Sequence, residues 1–519
     1  RSFDLRVDLL KEKSFLPSIT MGMQDVMGTG QYSGEYLVAS KTFSNKIEGT
    51  LGLGFGRLGG RNKISSGFRE RGGGTTGRGG EIRYKQLFGG DVGLFGGLIY
   101  ETPVEKLFLK AEYSTDTYQL DNKYSNTIPN NPISYGINYQ LNDSISISGY
   151  QTQNLNTGLQ VDISFNPLND SGGDHLESAP EPFYSLPISF PAGDISYWAS
   201  IKKDLNDEEL QLVAYTINGK EVIIVIENLH YSSHSQATGR ALRVLSKYIP
   251  IEIKDFKIIL SEVGVPISQF TFDREIISSI IDAPNAELLT KEIVKVESAP
   301  KIIQNSILNK EYPNISFSAS PYYRLHLFDP DNPVYYDLGI DASVYIELKP
   351  GLIVNGKIEK SIITTFDKIY RGAKGKLPNV RTNLARYLNE LDTRIVNLNI
   401  ASYFKYSKDI YGRITYGYLE EMYAGLSNEI LYAPTNSNLH FGAEINYVKP
   451  RNFDQLFAFR EVPGLAKING HISAYWDTKY YNYLSQVDLG KYMADDIGGT
   501  FTLKRQFSNG TTIGGFFLL

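Results

Sequence analysis

The sequence predicts a mainly β protein with two antiparallel β regions in one chain and a mixed α/β segment between them. Two observations carry this. Segments such as "DLGIDASVYIEL" (337–348) alternate with the strand period of two. Leu338, Ile340, Ala342, Val344, Ile346 and Leu348 fall on one face, and Asp337, Gly339, Asp341, Ser343, Tyr345 and Glu347 on the other. Strands of this kind, joined by short turns, fill both ends of the chain, while the middle shows helical spacing.

From residue 1 to about 168 the pattern is a meander. "ISYGINYQL" (133–141), "SISISG" (144–149) and "GLQVDISF" (158–165) alternate cleanly, with turn-forming runs between them. A loop rich in Pro, Gly and Asp follows, and the character changes. Residues 169–311 read as an α/β domain with linkers. It has a hairpin at Asn218-Gly219, a helix over 235–249, strands in "FKIILSEVGVPISQFTF" and short helices in "REIISSIID" and "LLTKEIVKV". From about 312 to 519 the meander resumes. "LHFGAEINYV" sets Leu439, Phe441, Ala443, Ile445 and Tyr447 opposite His440, Gly442, Glu444 and Asn446, and "INGHISAYW" repeats the pattern.

Alternation fits a sandwich, whose apolar face meets a second sheet, and equally a barrel, whose apolar face meets lipid. The aromatic excess (36 Tyr and 26 Phe), the many short strands and long polar excursions such as 57–80 favour the barrel. No stretch approaches the roughly 18 consecutive apolar residues of a membrane-spanning helix, so a membrane reading requires strands. A mean hydropathy of -0.24 is compatible with that. The net charge of -5, from 52 basic and 57 acidic side chains, argues against a dedicated nucleic-acid binder. The absence of Cys removes disulfides, zinc-thiolate sites and thiol nucleophiles. Because "FDLRVDLL" already reads as strand, the true N-terminus is expected upstream of Arg1.

The motifs point away from catalysis, cofactors and metals. The six histidines (175, 230, 234, 326, 440 and 471) show no HExxH spacing. Ser473 lies two residues from His471 without a GxSxG motif. The carboxylate pairs Asp341/Glu347 and Glu420/Glu421 read as charges lining a wet interior rather than as a glycosidase pair. "FDPDNPVYYD" (328–337) lacks the glycine and terminal glutamate of an EF-hand loop. The glycine-rich run 49–85 lacks the GK[ST] ending of a P-loop. Its cations, among them Arg57, Arg61, Arg69, Arg71 and Arg78, face Glu70 and Glu81 alone, an excess suited to an anionic polymer and equally to a screened surface loop. Asp341, Tyr345, Glu347, His440, Glu444, Asn446, His471 and Tyr475 lie on polar strand faces and are the candidates for lumen or polysaccharide contact. The two tyrosines are the ones placed to stack on sugar rings. "LPNVRTNLARYLNEL" (377–391) reads as a short amphipathic helix in a loop, either docked at a barrel mouth or simply on the surface.

Particular words in the sequence carry a resemblance. "GTGQYSGEYLVASKTF" (28–43), "TLGLGFGRLG" (50–59), "DVGLFGGLIYETPVEKLFLKAEYSTDTY" (91–118), "DIYGRITYGYLEEMYAGLSNEILYAP" (409–434), "GHISAYW" (470–476) and "GKYMADDIGGTFTLKRQFSNGTTIGGFF" (490–517) resemble the YjbH family of exopolysaccharide and capsule biosynthesis outer-membrane proteins. The resemblance covers both β regions in order. The central segment matches mainly by position. It implies a Gram-negative outer-membrane protein with two transmembrane β-barrel regions and an α/β periplasmic domain between them. Such a protein would act without catalysis in secretion of a polysaccharide, with outer-membrane lipid or lipopolysaccharide and other secretion proteins as partners. Family members extend beyond both ends of this sequence, so further strands are expected at each end. Two rivals stay open at this point: a β-rich carbohydrate-binding surface protein, and an outer-membrane enzyme that modifies glycan or lipid.

Overall fold

The computed structural model of the chain describes residues 4–26, 32–44, 46–65, 70–71, 84, 86–118, 129, 131–164, 178–188, 196–231, 233–281, 283, 286–301, 303, 306–327, 334–368, 378–507 and 510–518. The chain divides into two compact units, residues 1–166 and 167–519.

The first unit is one antiparallel sheet. Its strands are β1 (Leu5–Leu10), β2 (Ser18–Gln24), β3 (Gly34–Ser44), β4 (Ile47–Gly56), β5 (Lys63–Ser65), β6 (Val92–Glu101), β7 (Leu107–Tyr113), β8 (Ile133–Gln140), β9 (Ile145–Thr152) and β10 (Asn156–Ile163). They pair in sequence order, with short β5 set beside β6 off that path. The two longest connections, 57–91 and 114–132, share one end of the sheet. One end of the sheet carries 11–17, 45–46, 102–106 and 141–144; the other carries 25–33, 57–91, 114–132 and 153–155.

The second unit opens with a six-stranded layer of β11 (Leu210–Asn218), β12 (Glu221–Asn228), β13 (Asp255–Glu262), β14 (Val265–Asp273), β15 (Lys295–Ser298) and β16 (Ile307–Leu308). The spatial order is β15-β14-β13-β12-β11-β16. Helices α1 (Tyr197–Asp207), α2 (His234–Tyr248), α3 (Arg274–Ile280) and α4 (Ala286–Ile293) accompany it. Helix α2 connects β12 to β13, the parallel pair, and a strand in such a pair is covered on both faces. This accounts for the unbroken apolar run of β12. Val222, Ile224 and Ile226 enter the core beneath α1 and α2, and Val225 packs with Val213 and Ile259 on the other side. The expected hairpin turns at Gly219-Lys220, and the helix expected at 235–249 is α2.

The remainder is an eleven-stranded antiparallel sheet, again in sequence order. Its strands are β17 (Asn314–Leu327), β18 (Val334–Lys349), β19 (Leu352–Thr364), β20 (Thr393–Ser407), β21 (Ile410–Tyr418), β22 (Tyr423–Tyr432), β23 (Leu439–Pro450), β24 (Ile468–Asp477), β25 (Tyr483–Lys491), β26 (Ile497–Gln506) and β27 (Thr512–Leu518). The loop helix expected within 377–391 is α5 (Leu384–Asn389). Among the described residues β1 does not pair with β10, nor β17 with β27, so the expected barrels are here two large open sheets. The two longest connections again share one end. The two-residue turns 350–351 and 408–409 mark one end, and 365–392 and 451–467 mark the other.

The eleven-stranded sheet has inverted sidedness. On β18, Asp337, Asp341 and Glu347 are buried while Leu338, Ile340 and Leu348 are exposed. Phe317, Ile358, Tyr416, Ile430, Ile445, Ile472 and Leu489 continue the exposed apolar face across the sheet. A soluble sheet would do the reverse.

Helices α1 and α2 are tied by Asp204, which accepts hydrogen bonds from Lys247 (2.8 Å) and the Tyr248 hydroxyl (2.7 Å). Burial pushes the Asp204 carboxyl up, but these two donors outweigh it and hold it below the ordinary carboxylate value. A depressed carboxylate stabilises the fold above its unfolded pKa, and that stability is lost as pH falls through the folded one. Asp204→Asn should therefore weaken amide exchange protection of α1 and α2 by about 2 kcal/mol at pH 7. The difference from wild type should vanish as pH falls below the depressed Asp204 value.

Candidate functional site

The buried polar face of the eleven-stranded sheet is the candidate site. Cross-strand register places Ser320 opposite Asp341, Asp341 opposite Glu359, and Glu359 opposite Arg394. Arg394 is completely buried. Its Nη2 donates to Asp337 at 2.5 Å and to the Tyr322 hydroxyl at 3.0 Å, and it lies 3.6 Å from Glu359. Tyr322 and Ser361 both donate to Asp337. Gly339 makes room for this cluster, because a Cβ there would meet the Tyr322 ring at 2.6 Å. Lys357 pairs with Asp341 (3.2 Å) and Glu359 (3.4 Å), and Arg324 joins Glu359 to Glu421. Charges buried this deeply persist only when paired.

Above this network, at the long-loop end, lies a cap. Tyr387 of α5 donates to the Arg451 carbonyl (2.8 Å), and fully buried Arg451 donates to the carbonyls of Val396, Glu420 and Gln455. Residues 378–392 and 451–467 thus fold onto each other over the sheet end.

Further round the sheet, Arg413 pairs with Glu429 (2.7 Å), and Glu444 lies opposite both Glu429 and His471. His471 Nδ1 is 3.0 Å from Glu444 Oε1, and Asn446 donates to Asn469 (3.2 Å). Ser473 donates to Asp488 (2.6 Å), so its hydroxyl and the His471 ring are engaged with different carboxylates. His440, opposite Tyr475, lies 3.0 Å from the Ser437 carbonyl at the short-turn end.

A second cluster joins the sheet to the α/β layer. Lys310 Nζ sits 2.6 Å from both Glu227 of β12 and Glu347 of β18, with all three side chains at least nine-tenths buried. Glu227 also accepts from the Gly264 amide (2.6 Å). Burial would lower the Lys310 pKa, but the two carboxylates outweigh it and hold the ammonium above the usual lysine value. The β18–β19 turn abuts the β13–β14 turn, where the Gly351 amide donates to the Val263 carbonyl at 2.8 Å. Lys405 inserts into the same layer and donates to the Ala299 carbonyl (2.8 Å) and Ser298 (3.0 Å).

The structure therefore spreads the predicted contact residues over one face. Tyr345 and Glu347 meet the α/β layer, Asp341 belongs to the ion network, and His440, Glu444, Asn446, His471 and Tyr475 lie on β23 and β24. In the first unit the cationic run departs from a free basic loop. Arg57 pairs with Asp116, Arg61 donates to the Pro129 carbonyl, and Arg71 grips Glu35 with both guanidinium nitrogens (2.8 and 3.1 Å). Arg69 and Arg78 lie outside the described residues. Lys310, Glu227, Arg394 and Lys405 went unnoticed in the sequence because a single charged residue carries no periodic signal, and only the fold reveals its partner.

Large antiparallel sheets, one of them with a charged, paired buried face and an apolar exposed face, define a mainly β protein built unlike a soluble sandwich. The chain belongs to the YjbH family: the family model described as "Exopolysaccharide biosynthesis protein YbjH" matches residues 1–519. A relative from Escherichia coli strain K12, named "Uncharacterized lipoprotein YjbH", is 28% identical over 539 aligned residues, which cover 99% of this chain and 75% of the relative.

Arg394→Met should destabilise the sheet by about 3–5 kcal/mol, because Asp337 is left as an uncompensated buried charge. Adding Asp337→Leu should recover most of that loss in urea unfolding of the refolded protein.

Proposed function

We propose that the chain is a non-catalytic outer-membrane component that helps an exopolysaccharide cross or assemble at the outer membrane. In this reading the two meander sheets are walls of transmembrane barrels, and the α/β layer lies in the periplasm. The inverted sidedness carries it. Apolar side chains exposed over eleven strands need lipid, and carboxylates facing inward suit a polar lumen. Strands β17 to β20 hold 13 to 16 residues, above the roughly 9–11 that cross a bilayer. The longest connections of each meander sheet, 57–91 and 114–132 in one and 365–392 and 451–467 in the other, share one end of their sheet, as outer loops do. The α/β layer docks at the short-turn end, where a periplasmic domain belongs. The exopolysaccharide role follows the family's description, and the E. coli relative's name as a lipoprotein agrees with membrane attachment. Other secretion proteins of the same pathway would dock on the periplasmic layer.

In a producing host, loss of the gene should leave polymer in the periplasm and deplete it from the surface, as read by fractionating the two pools. Unchanged surface polymer would overturn the reading.

A further inference from the structure

The junction between the α/β layer and the eleven-stranded sheet encloses a cleft of about 330 Å³. Two adjacent cross-strand pairs build its wall on the sheet side, Asn314 opposite Glu347 and Ser316 opposite Tyr345. Gln211 and Asn228 face them from the α/β layer. Amides, a hydroxyl, carboxylates, an ammonium and one aromatic ring in a single cleft make up a set of groups that suits a sugar. Polar groups bond its hydroxyls, and the ring packs on its C–H face.

The bonding of the carboxylates adds an independent indication. Each oxygen of Glu227 has a donor, Gly264 on one and Lys310 on the other. Glu347 Oε2 pairs with the Lys310 ammonium, but its Oε1 has no hydrogen-bond partner, although the side chain is 97% buried. A buried carboxylate oxygen left unmatched is costly, and a ligand hydroxyl or amine would satisfy it. Charge narrows the ligand further. Three carboxylates (Glu227, Glu262 and Glu347) line the cleft against one ammonium, Lys310. Uronates and phosphorylated sugars would be repelled, and neutral or amine-bearing sugars favoured.

We propose that this cleft is a saccharide-binding subsite, selective for neutral or amine-bearing sugars, placed where the α/β layer meets the polar face of the sheet. It rests on the reading of the chain as a polysaccharide-handling protein and adds to it a place of first contact and a preference of charge. Tyr345 supplies the stacking surface and Glu347 the acceptor.

The test is calorimetry on the full chain in detergent micelles with a glucosamine tetramer, and with a galacturonic acid tetramer as the charge-inverted control. The glucosamine oligomer should bind and the galacturonate should not. Glu347→Gln and Tyr345→Leu should each weaken binding at least tenfold. Tyr345→Leu leaves the Lys310 ion cluster intact, so it serves if Glu347→Gln fails to fold. No binding of the glucosamine oligomer, equal binding of both oligomers, or unchanged affinity in the variants would overturn the subsite even if export depends on the chain. Glucosamine binding that the variants abolish, in a chain whose gene is dispensable for export, would support the subsite and refute the export role alone.

Discussion

Arg394 and Asp337 meet with no exposure to solvent on a strand face that a soluble sheet would fill with valine and leucine. Removing two charges from water is unfavourable by several kcal/mol per ion, and only close pairing with additional donors makes it tolerable. The sheet provides both, through Tyr322, Ser361 and the neighbouring Glu359, Arg324 and Lys357. Once the interior is occupied in this way, the apolar half of each strand has to face outward. The exposed face across β17 to β27 is therefore the counterpart of the buried ion network.

The same logic operates at the two ends of this sheet. At the long-loop end Tyr387 donates to the Arg451 carbonyl and Arg451 to the carbonyls of Val396, Glu420 and Gln455, so these backbone acceptors are bonded where they are buried. At the short-turn end Lys310 bridges Glu227 and Glu347 and joins the α/β layer to the sheet. A hydrophobic seam could slide, whereas a buried three-group ion cluster specifies one register. The cleft lies beside that cluster, so any ligand there contacts both the α/β layer and the sheet.

Much of the fold was legible because it is periodic. The faces of 337–348, the turn after Asn218 and helix α2 follow from spacing and turn chemistry alone. Helix α1 was missed although its core residues Tyr197, Ile201 and Leu205 keep helical spacing; what spacing could not show is its packing, in which Trp198 stacks on Tyr215 at 3.7 Å. The polar faces were legible, but not their pairing: Glu359 meets Arg394 only through the β19–β20 register, and Lys310 precedes its strand without any motif. In the cationic glycine-rich run the partners were likewise hidden, because Glu35 and Asp116, which pair with Arg71 and Arg57, lie far away in sequence.

The account stands on which medium each face of β18 meets. The natural absence of cysteine allows single spin labels to be placed at successive positions from 338 to 348 in the chain reconstituted into liposomes. Labels at 338, 340, 342, 344, 346 and 348 should relax with oxygen, which concentrates in lipid, and those at 339, 341, 343, 345 and 347 should not. Equal access of a water-soluble relaxant to both sets would contradict the account.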